Sequence, residues 1–144
     1  MSFNVLTPRE ASIFACLADS VIQPDRDLPR VADTDAVEFV DRWLARSPRL
    51  NRIGLRALLY AAELAPLATG FRRRLRRLGP EERFRYVRGV EKARSGQLRQ
   101  IAKLVKSMVY LSYYGDDHLM ARAGYDPDAN LRRGRELRRR DGRE

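Results

Sequence analysis

The sequence predicts an all-α fold, a compact orthogonal bundle of about six helices with a basic C-terminal tail. Apolar residues recur at helical spacing through most of the chain. Capping residues followed by proline or acids mark several starts, and no β-type alternation of useful length appears. Residues 1–127 read as one helical domain and 128–144 as a basic, flexible tail.

Each element has a local reason. Thr7-Pro8-Arg9-Glu10 is a capping box with proline at the first helical position, where its missing N–H costs nothing. Ile13, Phe14, Leu17, Ala18 and Val21 then form a stripe at helical spacing, and Pro24 ends it. Gln23 to Ala32 is a polar loop. Asp33 or Thr34 is expected to cap a second helix with Val37, Val40, Trp43 and Leu44 on one face.

Ser47-Pro48 stops that helix and starts a third, Pro48 to about Ala65. This helix is apolar over a wide arc, Leu50, Ile53, Ala57, Leu58, Ala61 and Leu64 with Leu55, Leu59 and Ala62, which predicts a place at the centre of the core. Pro66 and Gly70 are expected to break it. Phe71 to Leu78 is a basic bridge with apolar ends. Gly79-Pro80-Glu81-Glu82 opens a fourth helix with acids in its first turn, and Phe84, Val87 and Val90 share a face. After Ser95-Gly96 a fifth runs from Gln97 to about Tyr114, with Leu98, Ile101, Val105, Met108 and Ser112 on one side. Asp116 caps a short sixth helix that Gly124 stops in a left-handed position. From Arg132 onward seven arginines face three acids, which predicts a frayed helix or a disordered segment.

With 144 residues the chain is long enough for a core without staples, and a lone cysteine, Cys16, excludes an internal disulfide framework and suits a reducing compartment. The opening residues lack the charged and apolar regions of a secretory signal and a twin-arginine pair, and the most apolar stretch is interrupted by Arg56, Glu63 and Pro66. A cytoplasmic chain with no transmembrane segment is expected.

Charge is uneven. Residues 1–71 carry 8 basic and 9 acidic side chains, whereas residues 72–144 carry 21 and 10. A solvated arginine-rich face explains this, and so does an arginine-rich helical nucleic-acid-binding protein, the alternative function. Arg72, Arg73, Arg74, Arg76 and Arg77 with the tail could neutralise several phosphates, but no short turn leads into a polar reading helix.

Reactive constellations are scarce. His118 and Cys16 are the only soft ligands and lie about a hundred residues apart, so zinc-ligand spacing is missing, and Asp116-Asp117 reads as a helix cap. His118 has no partner set for nucleophilic catalysis, and Cys16 lies between apolar neighbours. No glycine cluster precedes a helix to cradle phosphates. No catalytic, cofactor-binding or metal-binding residue is therefore assigned, and an activity of this chain alone is not expected. Tyr110, Tyr113, Tyr114 and Tyr125 cluster near the end of the domain, either sealing the bundle or presenting an aromatic contact surface.

The opening Leu6-Thr7-Pro8-Arg9-Glu10-Ala11 followed by Leu17-Ala18-Asp19-Ser20-Val21-Ile22-Gln23-Pro24 resembles the start of the gluconate 2-dehydrogenase subunit 3 family. The closing Tyr113-Tyr114-Gly115-Asp116-Asp117-His118-Leu119, then Ala123-Gly124-Tyr125, is similar to that family's tail. Phe71-Arg72 through Gly79-Pro80-Glu81-Glu82-Arg83 resembles its central turn. The resemblance spans residues 6–127 and rests on order and spacing. It implies a small gamma-type helical subunit paired with a large flavoprotein of the glucose–methanol–choline class, which oxidises an alcohol or sugar hydroxyl. On that reading FAD belongs to the partner, no cofactor to this chain, and the expected contact residues are Tyr113, Tyr114, His118 and Tyr125, with Gly124 turning the chain to present Tyr125.

Overall fold

A computed structural model describes residues 3–23, 28–115, 119 and 127–140, and among these there are six α-helices and no strand. They are α1 (Pro8–Ile22), α2 (Ala36–Arg46), α3 (Arg49–Ala68), α4 (Pro80–Glu91), α5 (Gly96–Tyr114) and α6 (Pro127–Arg140), with 3-10 turns at Val31–Asp33 and Leu75–Arg77. The expected all-α bundle is present.

The helix at the centre is α1. Its start is the capping box read from the sequence: the Thr7 hydroxyl accepts from the Glu10 amide at 3.2 Å, and the Glu10 carboxylate accepts from the Thr7 amide at 2.8 Å. Ala11, Ile13, Phe14, Leu17 and Ala18 are buried, and α2, α3, α4, α5 and both 3-10 turns pack around it. It ends with Gln23 in the left-handed region at φ 53°, whose amide donates to the Asp19 carbonyl.

The sequence placed α3 at the centre, and the structure does not. Only Leu55, Leu59, Glu63 and Pro66 are buried on α3, a single file at helical spacing, and its main contacts are with α1 and the Leu75–Arg77 turn. The reason is where its charges point. Arg52 caps the C-terminal end of α2, donating to the carbonyls of Ala45 (2.7 Å) and Ser47 (3.1 Å). Arg56 donates to the Val5 carbonyl at 2.6 Å and pairs with the buried Glu10 at 3.3 Å. Glu63, 1% exposed, accepts from the Arg76 amide and side chain. These bonds turn the charged arc toward the bundle and leave Leu50, Ile53, Leu64 and Leu67 exposed. Pro66 does not break α3 but sits inside its last turn, which runs on to Ala68.

Other differences are smaller. Asp35, not Asp33 or Thr34, holds the N-cap position of α2, and the Thr34 hydroxyl accepts from the Ala36 amide and donates to the Val31 carbonyl. Val37, Val40 and Leu44 are buried as expected, but Trp43 is exposed. On α4 the buried residue is Tyr86, with Phe84 exposed and Arg88 stacked over its ring. The bridge between α3 and α4 buries Leu75 and Leu78, while Arg72, at φ 55°, and Arg73, Arg74 and Arg77 are exposed. Residues 127–140, expected as a frayed helix or disordered, form a helix with Asp128 in its first turn; Leu131 and Leu137 on it are exposed.

Asp41 ties the N-terminal segment to the bundle. Its carboxylate, in a residue 2% exposed, accepts from the consecutive backbone amides of Asn4 (2.7 Å), Val5 (2.9 Å) and Leu6 (2.8 Å), and from the Asn4 side chain (3.0 Å). Burial pushes the Asp41 carboxyl up, but the four hydrogen bonds outweigh it and hold the group below the ordinary aspartate value. A carboxyl so depressed contributes stability above its unfolded pKa, and that stability is lost as pH falls through the folded one. Asp41→Ala strands three amides, and we expect it to lower unfolding free energy by about 2–4 kcal/mol at pH 7. Urea midpoints checked from pH 7 downward should fall below about pH 4 for the native chain. The gap between native chain and variant should narrow over that range.

Candidate functional site

Two surface features stand out, and they share a border. The first is the outer side of α3. Leu50, Ile53, Ala57, Ala61, Leu64 and Ala68 follow one another at helical spacing and are exposed. After Arg49 the helix carries only Arg52, Arg56 and Glu63 as charged residues, and all three are bonded inward. The outer side therefore presents an uncharged apolar strip about 27 Å long. Scattered apolar residues on a surface are ordinary, but a continuous strip without charge is not.

The second feature is a cleft of about 260 Å³ between α3 and the hairpin of α4 and α5. Leu17 and Val21 of α1 form its floor. Leu58, Ala61, Ala62 and Ala65 line the α3 side, Tyr86, Val87 and Val90 the α4 side, and Leu98, Ile101, Ala102 and Val105 the α5 side. Its polar groups are few: Thr69, the Tyr86 hydroxyl, 3.5 Å from the Ala62 carbonyl, and Glu91 paired with Lys106 at 2.9 Å. The Glu91 hydrogen bond raises the Lys106 pKa, and burial raises that of Tyr86. Leu98 and Ile101, on the same side of α5 as Val105, stand exposed at the rim of the cleft.

The structure describes Tyr110, Tyr113 and Tyr114 of the C-terminal cluster, and the last two, neighbours in sequence, have opposite fates. Tyr113 is fully buried, and its hydroxyl donates to the Pro29 carbonyl at 2.7 Å. It therefore corrects one expected contact residue: Tyr113 closes the bundle over the loop before α2 and offers no surface. Tyr114, 42% exposed, packs edge-on against Tyr113 with ring centroids 5.1 Å apart and tilted against Tyr110 at 5.9 Å, so it does offer one. His118, Gly124 and Tyr125 lie outside the described residues, as does the short helix expected after Asp116.

Cys16 is half-buried, with its Sγ 4.0 Å from the Leu75 carbonyl. Burial pushes its thiol up, against the opposing influence of Arg83, so little of it is thiolate near neutrality. Among the described residues no three His, Cys, Asp or Glu side chains converge as a metal site would require. No helix among them is long and apolar enough to cross a membrane.

Comparison with protein-family models, curated proteins and solved structures finds no match to this chain.

Sequence reasoning had the residues of the α3 strip but assigned them to the core. The missing signal was that Arg52, Arg56 and Glu63 occupy the opposite arc of the helix. If the strip is outward in the free chain, Ile53→Lys and Leu64→Lys should leave its thermal stability within about 0.5 kcal/mol of the native value. Leu59→Lys, by contrast, places a charge in the core and should unfold the chain; circular-dichroism melts compare the three.

Proposed function

We propose that this chain is a non-catalytic accessory subunit that binds and stabilises a larger FAD-dependent oxidoreductase of the glucose–methanol–choline class acting on an alcohol or sugar hydroxyl. The observation that carries the docking part is the outer side of α3: an uncharged strip of Leu50, Ile53, Ala57, Ala61 and Leu64 on a chain with charge to spare elsewhere. Burial of such a strip against a partner removes apolar surface from water without desolvating any charge, which is the favourable case for association. Tyr114, exposed and with an apolar body and a polar tip, is a further candidate contact residue. The identity of the partner rests on the resemblance of residues 6–24, 71–83 and 113–125 to the gluconate 2-dehydrogenase subunit 3 family.

The mechanism is mass action. A subunit that binds only the folded flavoprotein stabilises it, with its FAD, by RT ln(1 + [L]/Kd), about 2.7 kcal/mol when the free subunit stands at a hundred times Kd. No group of this chain takes part in the oxidation. The exposed arginines of the bridge add long-range attraction to an acidic partner and speed encounter more than they tighten the complex.

Co-expression with a flavoprotein of this class should give a yellow 1:1 complex that melts higher than the flavoprotein alone. The double variant Ile53→Lys with Leu64→Lys should lose at least about a hundredfold in affinity, since it buries two unpaired ammonium groups at the contact. Retention of full affinity by the double variant removes α3 as the docking face. Failure of any such flavoprotein to co-purify with the native chain overturns the partner.

A further inference from the structure

We propose that the cleft between α3 and the α4–α5 hairpin is a binding site for a monomeric medium-chain aliphatic carboxylate, an anionic amphiphile taken up by this chain itself. The site goes beyond subunit docking and does not depend on it.

The elements behind the two walls of the cleft differ in charge. The α3 wall is Leu58, Ala61, Ala62 and Ala65, with no charged side chain turned to it. The opposite wall belongs to the α4–α5 hairpin, Pro80 to Tyr114, which carries eight cations and three acids, Glu81, Glu82 and Glu91; of these, Lys106 and Glu91 line the cleft. The floor, Leu17 and Val21 of α1, is apolar. An occupant suited to both walls has a body without charge and, at the mouth beside Lys106, a negative group. A neutral chain satisfies only the first requirement, and a cationic amphiphile meets repulsion from the hairpin.

Lys106 supplies the local receptor for the negative group. It lines the cleft, is 41% exposed in its side chain, and is held by Glu91 at 2.9 Å with its Nζ 5.8 Å from the centre of the Tyr110 ring. That hold fixes where the ammonium sits. An ammonium has three donors, so beside its bond to Glu91 it can donate to a second carboxylate oxygen. A pairing of this kind at a rim that is partly withdrawn from water is stronger than one on an open surface.

Size sets the class. An apolar cavity of about 150 Å³ holds the six carbons of benzene, so the 260 Å³ cleft takes about ten. A ten-carbon acid fits with its carboxylate outside at Lys106 and its alkyl chain inside. Apolar enclosure by four helices with a few fixed polar groups is the usual build of a small-molecule site.

Calorimetric titration of the full chain with decanoate, 1-decanol and decylammonium tests this. Saturable uptake of one decanoate per chain is expected, with decylammonium binding at least about tenfold more weakly. Lys106→Met should weaken decanoate about tenfold while leaving 1-decanol unchanged, the loss of one charge-assisted hydrogen bond. Ala61→Trp, at the exposed edge of the cleft, and Ala102→Trp, deeper in it, should each block uptake; retained helical signal in the first keeps the test valid if the second fails to fold. Four results would overturn the site: no saturable uptake, equal affinity for decanoate and decylammonium, undiminished binding in Ala61→Trp, or association with anionic phospholipid vesicles but not with monomeric decanoate. Because the free chain is titrated, a negative result here leaves the flavoprotein contact standing, and loss of that contact leaves this site standing.

Discussion

Arg52, Arg56 and Glu63 hold α3 in one rotational setting, and much of the molecule follows from it. Each of the three finds its partner on a different element: the end of α2, the N-terminal segment with α1, and the bridge before α4. Rotation of α3 about its axis would break all three sets of bonds and strand the buried Glu63, a cost of several kcal/mol. The apolar side that remains has nowhere to go but outward. The bundle therefore closes around α1 instead, whose buried residues cover a broader arc.

Buried carboxylates recur at the other joints. Asp41 gathers three successive amides of the N-terminal segment, and Glu10 both closes the capping box of α1 and pairs with Arg56. Such groups add little net stability over apolar packing of the same shape, but each demands its partner and so excludes alternative registers of the segment it holds. A small bundle with many interchangeable leucines and alanines gains definition from this. The cleft follows from the same arrangement: α3 leans on α1 and the Leu75–Arg77 turn, the hairpin of α4 and α5 leans on α1 from the other side, and the space between is bridged by Tyr86.

What the sequence made legible was local. The capping box at Thr7 and the proline start at Pro80 depend on residues three or four apart, and the structure has both. The stripe of α1 was readable because its apolar arc and its buried arc coincide. For α3 they do not. Periodicity counts apolar residues, but here the charges decide which arc turns inward, through partners that lie far away in sequence. The same holds for Tyr113 and Tyr114: neighbours in the chain, they were read as a pair, yet the first is claimed by a carbonyl 84 residues upstream and the second is left outside. The cleft left no trace in the sequence, because it is made by two elements that fail to close on each other.

The central claim is that the outer side of α3 is open in the free chain and covered in the proposed assembly. Hydroxyl-radical footprinting of Leu50, Ile53 and Leu64, with Leu59 as the buried reference, measures this directly. Strong labelling of the three in the isolated chain and loss of that labelling in the flavoprotein complex is the result the account requires. Equal labelling in both states, or labelling of Leu59 in place of the three, would contradict it.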